Sequence, residues 1–258
     1  MKRAIRLALL GLVAFGLALA VQVPAAWVVH WNRDRLPDTV ALSGIEGTLW
    51  HPRVNRIAVE LPGSGVLQAG PVELAVRPLG LLSGQLETEF EGEALGGEAA
   101  GRASVGWGGQ WRLPGARASL ALEQLGVVDP RLNFGQQGRL EVTIDGLGGT
   151  SLPEQGRVEA VIRDFRFPGL GPDGIYGTYR ARGEFDQGGQ LRGEISTEQA
   201  RVLAIKGNFN ANLGDGRARF DGEARAPEGA PPEADQLLSL FRNYKDGRAR
   251  IRWRGSLR

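Results

Sequence analysis

The chain has 258 residues and a mass of 27.7 kDa, enough for one large β domain or two small ones, and 42% of its residues are hydrophobic, enough to build a core. With no Cys and only two His, His30 and His51, disulfide scaffolds, thiol nucleophiles, Cys-ligated zinc and His-rich metal clusters are excluded or left without ligands. The 31 basic residues almost balance the 29 acidic ones, at a net charge of +2; nearly all are Arg scattered along the chain, so no concentrated phosphate-binding face and no nucleic-acid partner are expected.

The N-terminus carries the sharpest segment. Lys2, Arg3 and Arg6 precede a run from Leu7 to Val29 that only Gln22 and Pro24 interrupt. Roughly 23 residues at 1.5 Å each give about 34 Å, enough to cross the hydrocarbon core of a bilayer. The run predicts a transmembrane helix over 7–29, with residues 1–6 as a cytoplasmic tail and residues 30–258 on the far side, because basic flanks stay in the cytoplasm. Trp27 and Trp31 suit the far interface. Ala18-Leu19-Ala20 has the small-x-small form of a processing site, so a cleaved signal peptide is the alternative. Either way the body is exported.

From about Val40 the apolar spacing is two. In Leu86 to Glu93, Leu86, Thr88 and Phe90 share one face while Glu87, Glu89, Glu91 and Glu93 share the other. Leu140, Val142 and Ile144 repeat the pattern, as do Val158, Ala160 and Ile162; at the end Ala249, Ile251 and Trp253 alternate with Arg248, Arg250, Arg252 and Arg254. Strands are predicted over 40–45, 54–61, 71–77, 85–92, 98–106, 116–124, 139–145, 157–163, 175–186, 190–197, 202–213, 217–225 and 247–256. The Glu and Arg faces would repel internally, so each is expected in full solvent or beside the opposite charge. Glycine reaches 39 residues, about twice the usual share, and pairs such as Asp145-Gly146, Gly188-Gly189 and Asp246-Gly247 supply hairpin turns. Parallel strands would need crossover helices for which the connections leave no room. The fold class is therefore all-β: a curled antiparallel meander, as a half-barrel or a sandwich, with sub-sheet breaks possible at 96–101 and 146–156. One short C-terminal helix is expected, where Leu237, Leu238, Phe241 and Tyr244 fall at helical spacing after a Pro-rich linker over 226–232 and cover a sheet edge or end.

Catalytic chemistry finds little support. Gly169 to Gly174 fits G-x-G-x-x-G, but a strand rather than a helix is predicted to follow it, so no helix N-terminus faces a pyrophosphate. Asp173, Asp215 and Asp246 each stand alone beside Gly and read as turn residues, not calcium ligands. His30 and His51 lack a neighbouring nucleophile, and the four Glu of one strand sit on a wet face. No catalytic, cofactor-binding or metal-binding residue is assigned, and no cofactor.

Leu42-Ser43-Gly44-Ile45-Glu46-Gly47-Thr48-Leu49-Trp50 resembles the G-x-x-G-T-L-W motif of the type II secretion system protein N family, also called general secretion pathway protein N. Val76 to Gly84 is similar to that family's W-x-x-x-P-x-x-L-L-x-G stretch, and the Pro-rich linker, Leu237-Leu238 helix and closing strand extend the likeness over nearly the whole chain. Read from the residues, Gly44, Gly47, Thr48, Leu49 and Trp50 form a structural motif: the glycines bend the chain at a sheet rim and Trp50 packs into the core. The resemblance implies a non-enzymatic, single-pass inner-membrane component of the type II secretion system with its body in the periplasm. Other inner-membrane subunits of the system, and the pseudopilus or secretin, are the implied partners. The alternative is a membrane-anchored lipid conduit resembling AsmA or lipopolysaccharide-bridge proteins, whose curled sheet would line its concave face with apolar side chains and bind lipid.

Overall fold

The computed structural model describes residues 22–31, 33, 37–60, 66–128, 135–166, 175–241, 243–245 and 247–256. Among the described residues fourteen strands form one antiparallel sheet. They are β1 (Val40–Thr48), β2 (His51–Glu60), β3 (Val66–Arg77), β4 (Gln85–Ala94), β5 (Gly97–Gly106), β6 (Trp111–Ala121), β7 (Gln137–Gly149), β8 (Pro153–Arg166), β9 (Ile175–Asp186), β10 (Gln190–Ala200), β11 (Ala204–Asn212), β12 (Arg217–Arg225), β13 (Tyr244–Lys245) and β14 (Arg248–Ser256). Spatial order follows chain order, except that β14 lies between β12 and β13. Helix α1 (Ala25–Trp31) lies on β1, α2 (Leu125–Val128) follows β6 and reaches back to β3, and α3 (Pro232–Ser239) lies against β14.

Each of the thirteen predicted strands is present, those over 175–186 and 217–225 with the predicted ends and the others with shifted ends, and the two-residue β13 joins them. The predicted strand over 116–124 stops at Ala121, where a 3-10 turn (Leu122–Gln124) leads into α2. Pro78, which has no N–H to give a ladder, ends β3 and opens a second 3-10 segment (Pro78–Ser83), which Gly84 closes in the left-handed conformation at φ 77°. The C-terminal helix starts as its sequence suggests, with Pro232 in the first turn and Glu233 and Asp235 toward its positive end.

Three expectations are corrected. The sheet does not break at 96–101 or 146–156: β4 and β5 pair from Ala94 opposite Gly97 onward, and β7 and β8 pair through Gly148–Gln155 and Gly149–Pro153. Among the described residues there is no second sheet, so the sandwich form is excluded. The apolar run over 7–29 is not helical through its end, because Val23 and Pro24 leave the helix and Pro24 bridges Thr48. No helix among the described residues is long and apolar enough to cross a membrane, and the stretch 7–21 lies outside them.

Period-two alternation, carried through a continuous register, gives this one-layered sheet two faces of opposite character. One cross-strand row reads Leu74, Phe90, Gly101, Ala116, Ile144, Val158, Gly183, Gly193, Phe209, Phe220 and Trp253. Several glycines here make room for aromatic rings. A Cβ on Gly101 would sit 2.8 Å from the Phe90 ring, and one on Gly193 would sit 2.5 Å from that of Phe209. The rings cover the backbone that a second layer would otherwise cover. Deep burial occurs where α3 caps this apolar face: Leu238 lies on Ala224 and Ala249, and nearby Tyr176, Tyr179, Val202 and Ala234 form a second cluster. Phe165 meets Tyr176 and Tyr179 edge-on, with ring centroids 5.6 and 5.9 Å apart.

Candidate functional site

A groove of about 1680 Å³ runs across the sheet from β2 to β11. It lies on the face opposite the aromatic row. Its floor follows another cross-strand row: Arg53, Glu73, Glu91, Ala100, Arg117, Thr143, Glu159, Arg182, Glu194 and Asn208. Three observations fix the side. The lining residues come in runs of three whose outer members project from the polar face. From β11 only Asn208 contributes, without its apolar neighbours. Gly101 and Gly193, which also line the groove, are covered on their other side by Phe90 and Phe209, whereas a Cβ on Gly115 would project from the polar face into open space. The groove therefore runs between rows of charged side chains on the polar face.

The expectation that charged strand faces meet opposite charge is fulfilled in the ladders. Arg77 pairs with Glu89 at 2.5 Å, Arg53 with Glu73 at 3.2 Å, Arg157 with Asp145 at 2.7 Å and Arg163 with Glu141 at 2.9 Å. Arg180 bridges Glu159 and Glu198, and Arg182 also reaches Glu159 at 3.4 Å. The Arg face of β14 leans on β12: Arg250 and Arg252 both contact Asp221, and Arg248 contacts Glu223. Exposed pairs of this kind contribute about 0–1 kcal/mol each. Their larger effect is to hold charges of both signs in place on the polar face, which favours a partner with a complementary pattern.

Leu86, Phe90, Val142, Ile144, Val158 and Ile162, the side chains a lipid conduit would line up along its concave face, share the face of the aromatic row, and Phe90, Ile144 and Val158 are also among the residues that line the groove. His51 lines one end of the groove and is exposed, its N–H donating to Thr48 Oγ1 at 3.3 Å, while His30 is exposed on α1. Asp215 acts within its turn, where Oδ1 accepts from the Arg217 N–H at 3.0 Å. Asp173, Asp246 and the glycine run over 169–174 lie outside the described residues. Among the described residues no three His, Asp or Glu side chains are grouped as metal ligands.

The motif from Gly44 to Trp50 forms the first hairpin and a junction. Gly44 and Gly47 take φ of +66° and +79°, and a Cβ on Gly47 would lie 2.3 Å from the carbonyl oxygen of His51, so only glycine fits. The Leu49 N–H donates to the Val23 carbonyl at 2.8 Å, and Thr48 bridges Pro24, which laces the N-terminal segment to the rim. The Trp50 carbonyl accepts from the Val76 N–H at 2.7 Å. Trp50 itself is half-buried at the hairpin tip rather than in the core, because the single-layered sheet has no interior there. The lacing role was not legible in the motif, since it depends on Val23 and Pro24 leaving the helical path.

The fold and groove define an open β-meander protein whose most developed surface is a charged, grooved strand face. Residues 38–254 match the family model for type II secretion system protein N, and the chain belongs to that family. The match spans both the Gly44 to Trp50 hairpin and the Val76 to Gly84 stretch. Neither the curated proteins nor the solved structures yield a match.

Proposed function

We propose that the chain is an inner-membrane-anchored component of the type II secretion system whose sheet stands in the periplasm and acts by contact with other subunits rather than by catalysis. Family membership makes it a secretion component and implies contact with others of the system. The observation that carries the finer reading is the groove of about 1680 Å³, walled by Arg and carboxylate side chains and suited to a folded or extended protein partner. Inner-membrane subunits are the first candidates, with the pseudopilus or secretin next. The anchor reading rests on the apolar residues from Leu7 to Val21 behind Lys2, Arg3 and Arg6.

Crosslinking in the native envelope tests this reading. Photo-crosslinkers at groove positions should capture other secretion-system subunits, and the double reversal Arg182→Glu with Arg192→Glu should reduce that capture at least several-fold while the protein keeps its unfolding temperature. Capture that is unchanged by the reversal, or that yields only lipid, would overturn it.

A further inference from the structure

The two ends of the sheet differ in chemistry. In an antiparallel meander alternate connections lie at the same end, so one rim gathers residues 49–50, 78–84, 107–110, 150–152, 187–189 and 213–216. Of these six connections only the last holds a charged residue, Asp215. The other end carries Glu123, Arg201, Glu228, Glu233 and Asp235; Leu240 and Phe241 are exposed there, but among those charges.

The uncharged rim also presents its large apolar side chains to solvent. Leu79, Leu82 and Trp107 are 77%, 87% and 80% exposed. They form one surface: Trp107 lies over Gly84, where a Cβ would come within 2.7 Å of the indole, and the Trp107 N–H donates to the Gly84 carbonyl at 3.1 Å. Side chains of this size at full exposure, on loops that carry almost no charge, lack the solvation that the far end has. At this same rim Val23 and Pro24 are tied to Leu49 and Thr48, and in the sequence they follow the apolar run from Leu7 to Val21. From the β1–β2 hairpin to the β5–β6 hairpin is four strand spacings, about 19 Å along the same end of the sheet.

We propose that this rim rests on the membrane surface, with Leu79, Leu82 and Trp107 seated in the lipid headgroup boundary as a second contact beside the N-terminal segment. The proposal rests on the anchor reading, which brings the rim to the bilayer. Indole and Leu side chains on uncharged loops suit that boundary, where an apolar body is buried and a polar edge stays wet. The strands then stand away from the bilayer, with the charged end outermost.

The absence of native Cys makes the test direct. Full-length chain carrying one spin label at Leu82→Cys, Trp107→Cys, Val13→Cys or Arg201→Cys is reconstituted in phosphatidylethanolamine–phosphatidylglycerol vesicles, and collisions with oxygen are compared with those of a water-soluble nickel chelate. The expected result is oxygen-dominated relaxation at 13, an intermediate, interfacial ratio at 82 and 107, and chelate-dominated relaxation at 201. Labels at 82 and 107 as chelate-accessible as 201, with 13 still in lipid, would overturn the rim contact and leave the anchor standing. A lipid signal at 82 and 107 with 13 in water would overturn the anchor reading and support the rim contact; all four in water would overturn both.

Discussion

At the scale of single residues, space and backbone angle decide what glycine does here. Gly47 is held at φ +79° with the His51 carbonyl oxygen where a Cβ would stand, so Gly47→Ala should destabilise the full-length protein by at least about 1–2 kcal/mol from the left-handed backbone alone, measured as a lowered urea midpoint. Tyr179 supplies a second residue-scale test. Burial pushes its hydroxyl well above the ordinary tyrosine value, and the neutral group donates to the Leu203 carbonyl at 2.8 Å. Above about pH 10 the unfolded chain releases a proton that the folded chain keeps, so stability is full below that pH and falls as pH rises. Tyr176 is shifted in the same direction by burial and adds to the slope. Tyr179→Phe should flatten the fall in unfolding temperature between about pH 9.5 and 11, and a slope equal to that of the parent protein would show that this hydroxyl is not the cause.

At the scale of elements, α3 does more than close an edge. Leu238 is fully buried against Ala224 and Ala249, which face each other across β12 and β14. Leu238→Ala removes the largest side chain at that contact and should cost about 2–5 kcal/mol, with the loss read by chemical denaturation and early amide exchange in β14. The sequence located this helix through its Pro-rich lead and Leu pair but placed Phe241 and Tyr244 on it as well. The chain instead turns after Ser239, and Tyr244 pairs with Ala249 as β13. Strand positions were legible because alternation is a local property of the chain. The 3-10 segment at 78–83 was not, because its Leu residues point out of the sheet and interrupt that alternation.

At the scale of the whole molecule, the sheet works as two chemically opposite surfaces on one layer. The aromatic row is protected by rings over glycine and by α3 at one end, while the charged row bounds the groove. Since the groove charges are partly solvated and exposed pairs are screened, crosslinking of a partner through this wall should weaken as ionic strength is raised from about 0.05 to 0.5 M, where the screening length falls several-fold. Salt-independent capture in membranes would instead point to the apolar face as the contact.

By itself the sequence determined that the body is an antiparallel all-β meander with one wet and one dry strand face, that its charged rows lie either in solvent or beside opposite charge, and which family the chain resembles. These follow from residue spacing and short motifs, which need no knowledge of distant contacts. Only the tertiary structure decided which face carries the groove. Alternation assigns side chains to two faces without stating which rows of neighbouring strands line up; that is set by register, including the shifts between Ala69 and Val72, Arg102 and Ser104, and Thr197 and Gln199. The same reason applies to the rim. Thr48, Leu82 and Trp107 are tens of residues apart along the chain, and up-and-down pairing of neighbouring strands is what brings them to one end.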